Sequence, residues 1–159
     1  MKQHELSSLE DEKLVWMFVE PIISKTRGKA PNLKAQVYMS LNSGQRALFM
    51  FQVMYGHAGN GIFQFFSHIS YLTPRLDLWS ALKSAMQYFN DTDMLGLVEK
   101  MEIAYSDQLS QAQNVPSLEE LNQSYCELIP QTLKRIGAFL RNNPDEFSLS
   151  VSVQPDVQG

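Results

Sequence analysis

Apolar residues recur every three or four positions along most of this chain, which is the spacing of helices that bury one face. The clearest example lies between positions 91 and 107. At 100° per residue, the apolar residues of this run fall within an arc from about 20° to about 140°. They are Met94, Leu97, Val98, Met101, Ala104 and Tyr105. The pattern predicts an amphipathic helix that begins at Asp91 or Thr92.

Residues suited to capping a helix precede several of the periodic runs. Ser43 is predicted to cap a helix, and Thr73-Pro74 has the order expected of a cap followed by the first helical residue. The sequence Ser117-Leu118-Glu119-Glu120 is a capping box, in which the serine and the last glutamate bond each other's backbone amides. Because proline removes a hydrogen bond from a helix interior, a kink or a break is expected at Pro21 and at Pro130.

The segment from position 44 to position 66 combines aromatic residues with a glycine-rich hinge. Two helical runs, Arg46–Tyr55 and Ile62–Ile69, flank Gly56, Gly59, Asn60 and Gly61. Glycine and asparagine tolerate positive φ angles, so the hinge predicts a tight connection between two buried helices. Asn60 is the predicted cap of the second helix.

The C-terminal stretch has a different period. Apolar residues from Phe147 to Val153 alternate with Ser148, Ser150 and Ser152, which is typical of a strand. A lone strand needs a partner, so a homodimer paired through this segment is a candidate assembly.

The whole pattern predicts an all-α protein: one compact domain over residues 1–159, built of about six helices, with a core over 41–142, a tail over 144–159 and a candidate short strand in that tail.

Composition and charge narrow the class of protein. The chain has 159 residues, 44% of them hydrophobic, and its one cysteine, Cys126, cannot form an internal disulfide. It has no N-terminal signal pattern and no uninterrupted apolar run of membrane-spanning length, so we expect a cytoplasmic protein without a membrane partner. Eight cations and five acids give residues 1–76 a net charge of +3, whereas five cations and twelve acids give residues 77–159 a net charge of −7.

Acidic residues concentrate between positions 91 and 120. On the same helical wheel, Asp91, Glu99, Glu102 and Asp107 fall between about 160° and about 320°, opposite the apolar arc. We interpret seven residues as one acidic face: Asp91, Asp93, Glu99, Glu102, Asp107, Glu119 and Glu120. Such a face can steer a basic or DNA-binding protein, and a net acidic chain is not expected to bind nucleic acid directly.

The hinge carries the competing hypothesis, a small-molecule or enzymatic site formed by His57, Asn60, Gln64 and His68. Two histidines without a cysteine or carboxylate at ligand spacing do not predict a metal site. The glycines lack the GxxxxGK[ST] spacing and its lysine, so a nucleotide cradle is not predicted either. No catalytic residue and no cofactor are therefore assigned, and we do not expect an enzyme.

The stretch from Leu41 to about Met101 resembles the bacterial DNA-mimic protein domain family, a family of unknown function. The matching positions are Leu41, Arg46, Ala47-Leu48, Asn60-Gly61, Gln64-Phe65-Phe66 and the helix over Leu78–Phe89. Asn60, Gly61, Gln64, Phe65 and Phe66 correspond to the family's core motif. Ala58 and Gly59 stand where the family usually has asparagines, and Gly56 stands where it usually has a glutamate.

The resemblance implies an all-helical and often dimeric bacterial protein. The family's typifying member presents carboxylates in a duplex-like array to the DNA-binding face of a transcription factor. Duplex DNA carries about one charge per 1.7 Å, whereas the acids of this chain, spread over two helices, reach about one per 3 Å. The sequence therefore predicts interaction with a basic protein surface, at about half the charge density of DNA.

Overall fold

Eight helices account for most of the residues that the computed structural model describes, which are 10–72, 77–110 and 117–149. In chain order they are α1 (Asp11–Thr26), α2 (Pro31–Ser40), α3 (Ser43–Ala58), α4 (Ile62–Leu72), α5 (Leu78–Tyr88), α6 (Thr92–Ser110), α7 (Leu118–Asn142) and α8 (Pro144–Phe147). These ranges contain no strand. The predicted all-α class is confirmed, with two helices, α2 and α8, that the sequence pattern did not predict.

The helices enclose one hydrophobic core. Helix α3 lies at its centre and packs against α1, α4, α5 and α8, whereas α7 covers α1, α4 and α6. The largest side chains that are fully enclosed are aromatic: Phe51, Phe65, Phe89 and Phe147. The two aromatic runs around the hinge, in α3 and α4, therefore contribute to the core, as their apolar periodicity predicted.

Local capping signals locate some helix starts correctly and miss others. The box at the start of α7 is present: the Glu120 amide donates to Ser117 Oγ at 3.1 Å, and the Ser117 amide donates to Glu120 Oε1 at 3.0 Å. The cap of α3 is Asn42 instead of the predicted Ser43. Asn42 lies three residues before Gln45, and the two side chains bond each other's amides at 2.8 and 3.0 Å.

Neither interior proline ends its helix. Helix α1 runs through Pro21 and α7 runs through Pro130, so neither helix has the break that was one of the two outcomes expected at each proline. Both prolines are exposed, while residues on either side of Pro130, such as Tyr125 and Ile136, are buried in the same core. Packing of both halves outweighs the one missing backbone hydrogen bond.

The C-terminal part is helical where the structure describes it. Phe147, the first residue of the candidate strand, ends α8 and is buried against Phe89, with ring centroids 6.1 Å apart. The candidate strand does not begin at Phe147, because this residue ends α8 and lies in the core. Positions 150–153 lie outside the described residues. The predicted cap at Thr73-Pro74 lies outside them as well, and α5 begins at Leu78, where Asp77 accepts from the Ser80 amide.

Candidate functional site

The outer face of α6 is the part of the predicted acidic surface that remains free. Glu99 and Ile103 are exposed and lie four positions apart on the side opposite the buried arc of Met94, Val98 and Met101, and exposed Asp93 lies toward the edge of that side. The buried arc of α6 matches the prediction from the helical wheel. Lys100 is exposed on the same side, so this face is mixed in charge and predominantly acidic.

Asp91 does not lie on that face, although the helical wheel placed it there. It is the residue before α6, it is only 6% exposed, and its Oδ1 accepts from the Met94 amide at 3.0 Å. Its Oδ2 accepts from the Thr132 hydroxyl at 2.7 Å and lies 3.9 Å from Arg135 Nε. The carboxylate therefore joins the start of α6 to the middle of α7 and is shielded from an approaching protein.

Two more of the seven acids have intramolecular partners. Glu102 accepts from Lys83 Nζ of α5 at 2.7 Å, a contact that raises the pKa of the lysine. Glu120 is occupied by the capping box of α7. Asp107 belongs to α6, but its side chain lies outside the described part of the structure. Asp93, Glu99 and Glu119 are the members whose side chains are described as exposed and for which no such role is apparent.

An apolar side chain and a glycine interrupt this acidic face. Ile103 is 55% exposed and is one of several large apolar side chains on the surface of the described residues. Gly96 lies one turn before Glu99 and Lys100, and a Cβ added there would meet nothing within 4 Å. Packing within the chain gives no reason for glycine at this position, where it weakens a helix by about 1 kcal/mol relative to alanine. The glycine leaves room for another backbone to approach closely.

The residues of the predicted hinge site are partly brought together. The rings of His57 and His68 stack with their centroids 4.1 Å apart, whereas Asn60 and Gln64 are exposed. Asn60 is not the cap of α4, contrary to the prediction. The Ile62 amide at the start of α4 donates instead to Oδ1 of Asn122 on α7, at 2.7 Å.

The side chains of the hinge region divide between the core and the surface. Phe65 and Phe66 of the family-like motif point into the core, where they contact Trp79 with centroids 5.9 and 6.2 Å apart. Two surface grooves lie away from the hinge. One, of about 590 Å³, lies between α3 and α5 beside Arg46; the other, of about 700 Å³, follows the second half of α7.

Arg46 has a structural role in the first of these grooves. Its guanidinium donates to the carbonyls of Tyr38 and Met39, at 3.1 and 2.6 Å, and its carbon Cζ lies 5.4 Å from the centre of the Tyr38 ring. These contacts satisfy the last carbonyls of α2. The guanidinium is therefore already engaged with the chain itself.

In the described ranges, no three side chains of histidine, cysteine, aspartate and glutamate are placed to hold a metal ion. Of the helices that the structure describes, none has both the length and the apolar character needed to cross a bilayer.

Sequence reasoning missed three features of this surface: the exposure of Ile103, the open space at Gly96 and the stack of His57 on His68. The position of Ile103, outside the apolar arc of α6, was the signal that could have identified it. The histidine stack joins two helices, so spacing along the chain could not have shown it. Comparison of the chain with protein-family models, curated proteins and solved structures found no match.

Proposed function

We propose that this chain is a cytoplasmic protein-binding domain whose α6 outer face docks onto a basic surface of another protein. The observation that carries the proposal is the combination of exposed Asp93 and Glu99 with exposed Ile103 and the open Gly96 on one helix face. Protein interfaces commonly surround an apolar anchor with polar and charged residues. Glu119, in the first turn of α7, extends the acidic character onto the neighbouring helix.

The finer form of the proposal is that the partner is a DNA-binding protein, as the resemblance to the DNA-mimic family implies. The free acids support attraction to such a partner, since charge complementarity increases association rates and specificity. Asp91, Glu102 and Glu120 have intramolecular partners, so fewer carboxylates are available to a partner protein than the sequence predicted. The partner is accordingly expected to be recognised through one short helix face and its apolar centre, and DNA is expected to compete for the same surface of the partner.

Charge reversal tests the proposal. The variant Asp93→Lys/Glu99→Lys/Glu119→Lys is compared with the wild-type protein as bait in a native lysate, at low and at high salt. A partner retained by the wild type is then purified, and its Kd is measured. We expect the triple variant to bind at least about tenfold more weakly and the wild-type affinity to fall with salt, because exposed charges are screened within about 10 Å at 0.1 M.

A matched control distinguishes an effect of the α6 face from an effect of the protein's net charge. The variant Glu10→Lys/Glu127→Lys/Asp145→Lys changes the total charge equally at three exposed acids outside the α6 face. This control variant should still bind the partner. The Ile103→Ser variant should no longer bind the partner, although its helix content is unchanged. Equal weakening by both triple variants would overturn the proposal, and so would an Ile103→Ser protein that binds like wild type.

A further inference from the structure

The rings of His57 and His68 form a contact between α3 and α4. His57 lies in the last turn of α3, is half-buried and stacks on exposed His68 of α4, with 24° between the ring planes. The connection between the two helices is short, and Gly61 within it has a φ of +110°. The Asn60 amide donates to the His57 carbonyl at 3.3 Å, so the histidine is tied to the hinge by its backbone as well.

The environment of His57 disfavours positive charge on its ring. Burial lowers the pKa of His57, and the charge of His68 lowers it further. On the helices packed around α3 and α4, Glu12 of α1 accepts from the Tyr55 hydroxyl, and Glu146 of α8 accepts from the Tyr88 hydroxyl. Lys83 of α5 is paired with Glu102 of α6. From α7, the group that reaches the start of α4 is the neutral side chain of Asn122.

We propose that the His57–His68 stack is a pH-sensitive latch between α3 and α4, closed while both imidazoles are neutral and weakened when they carry charge. Two protonated rings with centroids 4.1 Å apart repel each other, and the half-buried ring also loses its hydration. The hinge at Gly59–Gly61 allows the last turn of α3 and the outer side of α4 to separate. This inference does not depend on the proposed function.

The direction of the effect follows from the sign of the pKa shift. The pKa of His57 in the folded protein lies below its ordinary value of 6.5, so the closed latch binds fewer protons than the open one. The stability of the latch is therefore fully present above the ordinary pKa of 6.5 and is lost as the pH falls below that value through the lowered pKa of folded His57. Each unit of pKa lowering corresponds to about a tenfold change in the ratio of closed to open forms.

Hydrogen exchange of the full chain tests the latch. Exchange rates of the backbone amides from residue 56 to residue 69, corrected for intrinsic rates, are compared at about pH 7.5 and about pH 5.5, a range that brackets histidine titration. In the wild-type protein we expect these amides to lose protection at the lower pH. Amides in the second half of α7, away from the hinge, should keep theirs and serve as the internal control.

Two variants separate charge from packing. His68→Phe keeps an aromatic ring against His57 and removes one of the two charges, so the loss of protection on acidification should shrink to the part that comes from the burial of His57. His4→Gln removes the remaining histidine of the chain and should behave as wild type. The latch would be disproved by an unchanged wild-type protection pattern, or by a His68→Phe protein that loses protection on acidification as strongly as wild type does.

Discussion

Gly44 and Gly96 are both helical, but their surroundings differ. A Cβ at Gly44, in the first turn of α3, would lie 2.9 Å from the Tyr88 hydroxyl and 3.1 Å from Cε1 of Phe147. Phe147 is fully enclosed, so its ring has no free space into which to move. Gly44 is therefore needed for the close approach of α8 to α3, whereas no described residue restricts Gly96.

Alanine substitutions at the two glycines should consequently have opposite effects. We expect Gly44→Ala to lower the free energy of unfolding by about 1 to 3 kcal/mol, the usual cost of overpacking. Gly96→Ala should raise it by about 0.5 to 1 kcal/mol, because alanine favours the helix and fits without contact. Urea denaturation of both variants measures the difference. A Gly44→Ala protein as stable as Gly96→Ala would mean that α8 does not pack on α3 as described.

At the scale of an element, α4 depends on another helix for its first hydrogen bond. Asn122 of α7 accepts from the Ile62 amide, although the two residues are 60 positions apart. We expect Asn122→Ala to lower the free energy of unfolding by about 1 to 2 kcal/mol, since it leaves a part-buried amide without its acceptor. Asn122→Asp should stay within about 0.5 kcal/mol of wild type, because a carboxylate at a helix N-terminus still accepts and interacts favourably with the dipole.

Thermal unfolding and the hydrogen-exchange rate of the Ile62 amide are measured for both Asn122 variants. If Asn122→Ala neither lowers stability nor speeds this exchange, the tertiary cap contributes nothing. Should the aspartate variant be as unstable as the alanine variant, the interaction would depend on the amide group of Asn122 and not on its acceptor oxygen.

This cap illustrates which parts of the elements the sequence predicts. Ser117 and Glu120 lie three residues apart, so their box is visible in the sequence and is present in the structure. Asn122 and Ile62 have no such local relation, and Asn60, the nearest suitable residue, was predicted in place of Asn122. The presence of a helix can be predicted from the periodicity of its apolar residues. A cap supplied by another helix depends on tertiary packing, which no local pattern encodes.

The acidic face of the candidate site was also predicted incompletely, because contacts between helices cannot be seen in the sequence. The helical wheel gives the direction of a side chain around its own helix, but not what lies in that direction. Asp91 meets Thr132 of α7, and Glu102 meets Lys83 of α5, at sequence separations of 41 and 19. Of the seven acids, Asp93, Glu99 and Glu119 remain the ones whose exposure supports recognition.

At the scale of the whole molecule, several tyrosines resist ionisation. Burial, followed by the hydrogen bond to Glu12, raises the pKa of Tyr55 to about 12. The pKa values of Tyr38, Tyr88 and Tyr125 are also raised, with burial as the first cause in each case. The buried Tyr125 hydroxyl has no hydrogen-bond partner within the described structure, so ionisation there would leave an unsolvated charge.

We therefore expect stability to decline at alkaline pH. A folded pKa above the unfolded value of about 10 means that the contribution is fully present below pH 10 and is lost as the pH rises through the folded pKa. For Tyr55 this window extends from about pH 10 to about pH 12. The measurement is phenolate absorbance in native protein and in urea. Complete native titration near pH 10, without loss of helical circular dichroism, would contradict the expectation.

The packing of α1 against α7 has a consequence for biosynthesis. Asp11 accepts from Arg141 at 2.7 Å across 130 positions, and the two helices cover each other's apolar faces. At about 5 to 20 residues per second, a ribosome needs roughly 6 to 26 s to add the intervening chain. During that time the apolar face of α1 lacks the cover that α7 provides in the folded protein, so the order of synthesis leaves this face incompletely buried until the C-terminal part of the chain has been made.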